Sequence, residues 1–435
     1  MRKKRVLDYS LWCAAVWCLL LLSCREKDNE PPLVSIISPA FQSGYSFGEW
    51  VNVRVSASDE TGLKEVLVSV TDLGGRIVVG PRRVVLSDDR SWEGELTMHF
   101  NDIKVSSGSY VLRAKASDGS NESQDVLSVT LTGAPKTLER ILVTRESGAL
   151  STAMDSVVSG AWYPAGTWGG QFQMAAVNSW DQRIHLFGST QDGILTLAGT
   201  ALNPLNQVQI PFGLSDVLFE DVYVDESVHE VWTACRDGQI RRIGISGTVT
   251  SAFSAYFPRQ VVSSGDYIYS FGENEQSVRR LEVYVKQTGQ LIQSLPLNSE
   301  VHDLLPLGSQ DQVLLVRYAP GEPSLIPYFR QGNYLDQWTP FNASPESPPL
   351  MACHSAAGIF VAYADGVRRY SLNGALAGQS VETFAPVHMT YQEDNGALWM
   401  LESEALHRLS GASLSISATF PAGPDASQVL LLYNK

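Results

Sequence analysis

The residues that could do chemistry in this chain are acids and aromatic rings, because familiar catalytic motifs are missing. The sequence has no H-E-x-x-H zinc motif, no G-x-S-x-G nucleophile elbow and no phosphate-binding P-loop. Two carboxylates that face each other across a cleft can cleave a glycosidic bond. The acids placed to do so are Asp216, Glu220, Asp221 and Asp303. Solvated or capping acids are the more economical interpretation in so acidic a chain, so we expect no enzyme.

Histidines and cysteines do not form an evident ligand set. His185, His229 and His302 hold comparable positions in their segments, but their different strand contexts do not favour convergence. Cys235 and Cys353 lie more than a hundred residues apart, each inside an apolar run. Buried free thiols are the default for such residues, with a disulfide as the minor alternative. We therefore expect no metal and no cofactor.

Aromatic residues among glycines and prolines are the better candidates for a binding site. The segment SGAWYPAGTWGG, residues 159–170, breaks the rhythm of strands and contains Trp162, Tyr163 and Trp168. Flat rings can stack on a saccharide or another small planar ligand, or cap a protein partner. The alternative is that they fill the seam between two domains, and both interpretations stay open. Weaker candidates of the same type are Tyr256, Phe257, Trp338, Phe341 and Tyr391.

The N-terminus has the pattern of a secretory signal. Four cations, Arg2 to Arg5, precede an apolar run, residues 11–22, that is too short to span a bilayer comfortably. The tail Leu-Leu-Ser-Cys at residues 21–24 resembles the lipobox of bacterial lipoproteins. That resemblance implies cleavage of residues 1–23 and acylation of Cys24, and several acyl chains anchor a protein stably. An ordinary signal peptide is the alternative.

The residues after the leader predict a tether and a location. Residues 24–32 are charged and proline-bearing and cannot bury apolar area. They resemble the surface-export signal of Bacteroidota lipoproteins, which implies the outer membrane with the protein facing the exterior; the periplasmic face is the alternative. Loss of the leader's four cations and of Asp8 would change the formal net charge from −14 to −17. Such a surface repels nucleic acid, so we expect no nucleic-acid partner.

Residues 33–132 are predicted to form a β-sandwich. Seven short runs alternate apolar and polar residues between turn residues, including WVNVRVSASD and SYVLRAKASD, with a turn expected at Asp59 to Gly62. The phrases ASDETGLKEV and GSYVLRAKASDGSNES resemble the Ig-like domains that follow the tether in many Bacteroidota surface lipoproteins. Tyr110 suits either a corner tyrosine or a core aromatic. Asp59, Glu60 and Asp118 suit turn carboxylates better than a calcium site.

Residues 133–137 are predicted to be a linker, and a repeat follows in residues 138–435. The run Ile-Arg-Arg-Ile at residues 240–243 recurs at 278–281, 367–370 and 406–409, with degenerate copies at 194–197 and 325–328. A period of about 40 to 50 residues made of short strands is typical of β-propeller blades. The paired arginines are expected on outer strands, pairing with carboxylates such as Asp237 or Glu282 rather than forming an anion site.

Six complete repeats and two leftover pieces predict how the ring closes. The segment SQVLLLYNK at residues 427–435 has one strand, and residues 138–157 supply strands without a blade. Together they can form a seventh blade with the C-terminal strand innermost, which removes exposed strand edges. Six or eight blades are the alternatives. This ring would put residues 159–170 at the mouth of the central channel. The line HEVWTACRDGQIRRI also resembles, locally, the repeats of sensor-type and NHL-type propellers.

The sequence as a whole predicts an all-β, lipid-anchored surface protein with an Ig-like domain before a β-propeller. We expect a binding or scaffold role in which a propeller face captures a ligand, such as a saccharide, or a partner from an outer-membrane transporter or machine. Two other classes stay open. One is a carbohydrate-active propeller enzyme, a glycosidase or lyase, and the other is a purely structural or adhesive subunit.

Overall fold

A computed structural model describes residues 30–147, 151–158, 161–189, 191–210, 218–226, 228–244, 247–307, 312–317, 325–336, 348–355, 357–380 and 382–435. All regular structure in these residues is β-strand, and the chain divides after Pro135 into two compact units. No helix in the described residues is long and apolar enough to cross a membrane. The leader, Cys24, most of the tether, Asp216, Trp338 and Phe341 lie outside the described residues.

The N-terminal unit has six strands rather than the seven predicted. They form one hydrogen-bonded sheet in the order β1-β3-β5-β6-β2, with β4 paired to β3. The strands are β1 (Leu33–Ser38), β2 (Gly44–Ser46), β3 (Trp50–Thr71), β4 (Ile77–His99), β5 (Gly108–Ser117) and β6 (Glu122–Thr132).

The turn predicted at residues 59–62 is wrong as a break between strands. Asp59 accepts hydrogen bonds from the backbone amides of Thr61 and Gly62, both 2.8 Å, and the register of β3 against β4 shifts there, but the strand continues. A local side-chain acceptor satisfies the bent backbone, so two predicted strands merge into one. Asp118 likewise accepts from the amide of Asn121, 2.6 Å. Asp59 and Asp118, two of the three acids considered for calcium, therefore accept from nearby backbone amides.

Alternation along the strands builds the core of this unit. Along the first half of β3, Val51, Val53 and Val55 are buried while the residues between them are not, as a period of two requires. Tyr110 is buried, and its hydroxyl donates to the carbonyl oxygen of Ser106, 2.8 Å. The local bond is compatible with a corner tyrosine and the burial with a core aromatic, so both interpretations stay open.

The C-terminal unit is a β-propeller of seven four-stranded antiparallel blades, which confirms the predicted number. Blade 7 joins both termini, with β7 (Leu138–Glu146), β8 (Ser151–Val158) and β9 (Ala161–Gly169) beside the innermost strand β34 (Ala426–Tyr433). Leu431 pairs with Ile141, as closure by the C-terminal strand predicts.

The other blades are each continuous in sequence, and their strands run from the innermost to the outermost. In the first three blades they are β10 (Phe172–Asn178), β11 (Arg183–Gly188), β12 (Ile194–Ala198) and β13 (Pro204–Val208); β14 (Phe219–Asp225), β15 (Glu230–Cys235), β16 (Gln239–Gly244) and β17 (Gly247–Phe253); β18 (Phe257–Ser264), β19 (Tyr267–Glu273), β20 (Arg279–Val285) and β21 (Leu291–Leu297). In the next three they are β22 (Val301–Pro306), β23 (Gln312–Arg317), β24 (Leu325–Phe329) and β25 (Tyr334–Leu335); β26 (Pro349–Ser355), β27 (Gly358–Tyr363), β28 (Gly366–Tyr370) and β29 (Leu376–Gln379); β30 (His388–Gln392), β31 (Ala397–Leu401), β32 (Ala405–Ser410) and β33 (Ile416–Pro421).

The repeated arginine motif falls on the third strand of its blades rather than on the outer strand. The first basic residue of a copy pairs with an acid of the preceding turn, as in Arg241 with Asp237 and Arg368 with Asp365, whose closest atoms are 2.6 Å apart in the second pair. Glu282 differs from the prediction, because it accepts from Tyr284 and Ser254 instead. The motif therefore stabilises turns, which is why blade after blade contains it.

Candidate functional site

The aromatic segment predicted at the channel mouth lies elsewhere. Residues 161–169 form β9, the outermost strand of blade 7, so the predicted mouth position is wrong. Pro164 and Gly166 do not break the strand, because they sit at a register shift against β8. Outer strands tolerate proline at such a bulge, since no further strand needs its missing N–H.

The two tryptophans of β9 fill seams between blades. Trp162 packs against a cluster that includes Trp399 of blade 6, and Trp168 packs against a cluster that includes Phe172 of blade 1. The bulge between them explains why they face opposite sides, since one extra residue reverses the alternation. A Cβ on Gly166 would come within 2.6 Å of the Trp168 ring. Ligand binding by these residues stays a prediction, and their packing favours a structural role.

Bulges recur near the beginnings of the innermost strands, on one face of the propeller. Strands alternate in direction within a blade, so all innermost strands begin on one face of the ring, here called the start face, and end on the other, the end face. Near its beginning, each innermost strand except β30 has a register shift in which one residue bulges. In blade 6, Val387 holds the equivalent place just before β30. We call these seven residues the bulge ring: Gln173, Glu220, Arg259, His302, Leu350, Val387 and Ser427.

The bulge ring lies at the start face, where the innermost strands begin, and five of its seven residues are exposed. Leu350 is 44% exposed and Val387 45%, and Arg259 and His302 are also exposed. Bulges re-aim side chains and are common beside functional sites. The ring is polar in blades 1 to 4 and apolar in blades 5 and 6.

In four blades, the residue after the bulge-ring position braces the next blade. Asp221 Oδ2 accepts from the Val261 amide, 2.9 Å, and Asp303 Oδ2 from the Ala352 amide, 3.3 Å. Gln428 and His388 make the same kind of contact, to the amides of Ala175 (2.5 Å) and Val429 (3.4 Å). A bonded row therefore supports the bulge ring from below.

Burial shifts the pKa values of Asp221, Asp303 and His388, the titratable residues of this row. Desolvation raises the pKa of Asp221 to about 6, against two backbone hydrogen bonds that lower it. The pKa of Asp303 is raised well above its usual value by burial and then by the charge of Asp221. Burial lowers the pKa of His388 to about 4. The two acids thus serve as acceptors for backbone amides, which favours a structural role over the acid and base roles considered from sequence.

A pocket of about 530 Å³ opens on the start face between blades 2 and 3. Two members of the bulge ring, Glu220 and Arg259, form part of its wall, and Phe257, a weaker candidate from sequence, is 40% exposed in it. Tyr256 adjoins this wall, with the Arg280 guanidinium 5.3 Å from its ring centre. The remaining lining residues are Arg236, Pro258, Glu273, Asn274 and Glu275.

Charged contacts cross the opposite end of the channel. The Lys136 ammonium contacts Glu226, after the innermost strand of blade 2, and lies 3.4 Å from Glu393, after that of blade 6. It also lies 4.3 Å from the centre of the Tyr433 ring. The net effect of these acids raises the pKa of Lys136, although burial opposes it. Lys136 therefore joins non-adjacent blades at the end face.

The remaining reactive residues do not assemble in the described part of the chain. His185 is buried in β11, His229 lies in a turn stacked on Trp180 at 3.9 Å, and His302 belongs to the bulge ring. No group of three or more His, Cys, Asp or Glu among the described residues could hold a metal ion. Cys235 and Cys353 are free thiols, and burial raises the pKa of each.

Comparisons with known proteins give only distant likenesses. No protein-family model and no curated protein matches the chain. Among solved structures, it is similar to a quinoprotein alcohol dehydrogenase-like protein from Bacteroides thetaiotaomicron, with 11% identity, a TM-score of 0.48, and 92% of this chain and 99% of that chain covered. BamB from Moraxella catarrhalis has 10% identity, a TM-score of 0.41, and coverages of 68% and 93%. Dihydro-heme d1 dehydrogenase NirN has 12% identity, a TM-score of 0.46, and coverages of 73% and 72%. At this distance, what those proteins bind or catalyse does not transfer to this chain.

Proposed function

We propose that this chain is a lipid-anchored binding or scaffold protein of the outer membrane that captures a ligand or a protein partner at the start face of its propeller. The observation that carries the proposal is the bulge ring. A bulge gives up regular strand pairing, and here it recurs near the beginning of six innermost strands and leaves its residue at the start face.

The surroundings of the bulge ring support binding rather than packing alone. Five of its members are exposed, whereas Asp221, Asp303, His388 and Gln428, directly behind the ring, are bonded to the next blade. A rigid support with varied accessible side chains suits recognition, because little conformational freedom is lost on binding. The ring also differs from blade to blade, from the charged Glu220 and Arg259 to the apolar Leu350 and Val387. That asymmetry suits one specific ligand or partner surface.

Location is the second part of the proposal. The cationic leader, the short apolar run and the Leu-Leu-Ser-Cys tail support lipid attachment at Cys24. The charged tether supports exposure at the cell exterior, with the periplasmic face as the alternative. In this arrangement the N-terminal unit, by its resemblance an Ig-like domain, would act as a spacer. The partner would be a component of an outer-membrane transporter or machine, or the ligand a molecule taken up by it.

A structural or adhesive role is the second candidate. Val249 and Phe253 are exposed on the outermost strand of blade 2, and Leu291 and Ile292 on that of blade 3. A Cβ on Gly289, just before β21, would lie 1.7 Å from the carbonyl oxygen of Ser251 in β17, so the two outer strands are adjacent. Accessible apolar residues side by side on two blades could contact a partner protein.

Matched double variants of the full-length protein separate these candidates. Leu350→Ser with Val387→Ser changes the apolar part of the bulge ring. Leu372→Ser with Leu376→Ser changes two comparably exposed leucines away from it, in the outer part of blade 5. Partners would be identified by cross-linking in intact cells, and affinity then measured with the purified partner. We expect a loss of at least tenfold from the ring variant alone. Equal affinity of the ring variant and the wild type would refute the proposal.

A further inference from the structure

We infer that the pocket between blades 2 and 3 binds an uncharged saccharide unit. This inference rests on the proposed binding function and adds the chemical class of the ligand. It starts from the pocket walls, which combine hydrogen-bond donors, acceptors and one exposed aromatic ring.

Donors and acceptors alternate around the pocket in opposite-charge pairs. Arg236 contacts Glu220 through its Nε, and Arg259 lies 3.3 Å from Glu273 and 3.6 Å from Glu300. A guanidinium has five N–H donors and a carboxylate about four acceptor sites, so one or two contacts for each group leave capacity on both kinds of group. A hydroxyl group both donates and accepts. A ring with neighbouring hydroxyls can therefore use both kinds of group together.

The charge pattern disfavours an ionic ligand. An anion would approach Glu220, Glu273 and Glu275, and a cation would approach Arg236 and Arg259. Each would have to separate an existing pair and meet a like charge. An uncharged polyhydroxyl ligand meets neither obstacle, because it adds hydrogen bonds without adding charge.

Phe257 supplies an apolar surface in the same pocket. Its ring is 40% exposed at the start of β18, beside the buried Pro258. The C–H face of a sugar ring is apolar while its edge has hydroxyls, so a flat aromatic ring with polar groups around it matches both surfaces.

Buried contacts hold the Phe257 wall in place. The Ser254 hydroxyl accepts from the Tyr256 amide, 2.9 Å, and contacts the buried Glu282, which also accepts from the Tyr284 hydroxyl, 2.7 Å. A Cβ on Gly272 would come within 2.6 Å of the Tyr256 carbonyl oxygen, so only glycine fits there without a shift. The wall is therefore fixed before a ligand arrives.

The other walls are fixed in the same manner. The turn with Arg236 is held by the buried pair of Arg241 and Asp237, and Asp237 also accepts from the Gln239 amide, 3.0 Å. Asn274 accepts from the amide of Val278, 2.9 Å, which holds the turn that includes Glu275. A pocket organised by buried second contacts loses little entropy on binding, as a specific site requires.

The test measures binding of defined oligosaccharides to the purified full-length protein. The neutral probes are cellohexaose, maltohexaose, laminarihexaose and mannohexaose. Oligogalacturonates are the anionic probes, and chitosan oligomers are the cationic probes. We expect a neutral probe to bind, with a Kd that changes less than twofold between 50 and 500 mM NaCl. Phe257→Ala and Arg236→Gln should each weaken it at least tenfold. The control Phe253→Ala, a ring 66% exposed on the outermost strand of blade 2, should leave it unchanged.

Other outcomes would overturn either the saccharide assignment or the pocket assignment, and the variants distinguish the two. Failure of all neutral probes, or tightest binding of a charged probe with a salt-dependent Kd, would overturn the saccharide assignment. A neutral probe that binds equally to the wild type, Phe257→Ala and Arg236→Gln would overturn the pocket. Neither result bears on capture of a partner at Leu350 and Val387, which the ring variant tests separately, so the two proposals can fail independently.

Discussion

The Asp221 carboxylate of blade 2 accepts a hydrogen bond from the backbone amide of Val261 in blade 3, at 2.9 Å. The contact joins two innermost strands directly behind the bulge ring. Its burial has a consequence for stability, because desolvation raises the pKa of Asp221 from 3.8 to about 6. A carboxyl group raised in the folded state stabilises the fold at low pH, and that contribution is lost as pH rises through about 6.

We therefore predict that Asp221→Asn flattens the pH dependence of unfolding between pH 5 and 8. The asparagine keeps an acceptor for Val261 and removes the buried charge. A shift from 3.8 to about 6 corresponds to about 3 kcal/mol in all, and roughly half of it falls above pH 5, so the variant should gain stability at pH 8 relative to pH 5 by about 1.5 kcal/mol. Urea unfolding at several pH values measures this, with the exposed turn residue Asp266→Asn as control. An unchanged slope in Asp221→Asn would contradict the buried-charge assignment.

His388, in the row behind the bulge ring, predicts the opposite pH dependence, with stability lost as pH falls. Burial lowers the pKa of His388 from 6.5 to about 4, so its neutral form accepts from Val429 and its contribution to stability is lost as pH falls from about 6.5 through 4. His388→Gln, which can also accept a hydrogen bond, should remove roughly 3 kcal/mol of that acid sensitivity. The measurement is the unfolding midpoint between pH 4 and 7. His302→Gln, at an exposed position on the innermost strand of blade 4, is the control. Equal acid sensitivity in wild type and His388→Gln would show that this histidine does not titrate as described.

Closure of the ring by the C-terminal strand predicts a strong effect of truncation. Val429 and Leu432 are buried in β34, which pairs with β7 over its length. Deletion of residues 427–435 would expose the edge of β7 and the cores on both sides of blade 7. We expect aggregation, or loss of cooperative melting of the propeller, in calorimetry. A truncated protein that melts at the wild-type temperature would contradict the closure.

The tryptophans of β9 predict a loss of stability rather than of binding. Trp168→Ala would leave a cavity beside Phe172 and Leu142, with a cost of about 3 kcal/mol. Tyr163→Ala, on the same strand but 55% exposed, should cost less than about 1 kcal/mol. Denaturant unfolding of both variants gives the comparison. A stable Trp168→Ala protein that has lost ligand or partner capture would restore the binding interpretation of this residue.

Lipid attachment predicts a change of fractionation. Cys24→Ala should release the protein into soluble fractions or leave an uncleaved precursor, because the acylated thiol is missing. Membrane fractionation and the mass of the N-terminal peptide measure the two outcomes. Protease added to intact cells tests orientation separately, since surface protein should be digested. Normal processing and membrane attachment in Cys24→Ala would contradict the lipobox assignment.

The sequence pattern of single strands predicted the features of the fold that depend on one strand at a time. The six repeats around Ile240 and its counterparts match the third strands of six blades, because apolar alternation with basic residues is a property of each strand alone. The seventh blade followed from leftover strands that needed partners. By contrast, Pro164 and Gly166 indicated a loop, since a sequence does not show that an outermost strand can bulge around them.

The candidate site was harder to predict, because bulges depend on pairing between strands. Glu220, Arg259 and His302 each interrupt an apolar run near the start of an innermost strand, in the phrases FED, PRQ and VHD. Those interruptions were the available signal. Arg236 approaches Glu220 because β14 pairs with β15 in one particular register, and Phe257 lies in the same pocket because blades 2 and 3 are in contact. A sequence shows neither relationship.

Site-directed photo-cross-linking in intact cells tests the central claim, capture at the start face, most directly. A photoreactive residue would replace Gln173, His302 or Val387 of the bulge ring, or, as controls, the exposed Glu226 or Glu393 at the end face. We predict specific adducts from the bulge-ring positions, reduced by excess unlabelled ligand or partner, and none from the end-face positions. Adducts confined to the end face, with none at the bulge ring, would contradict the account.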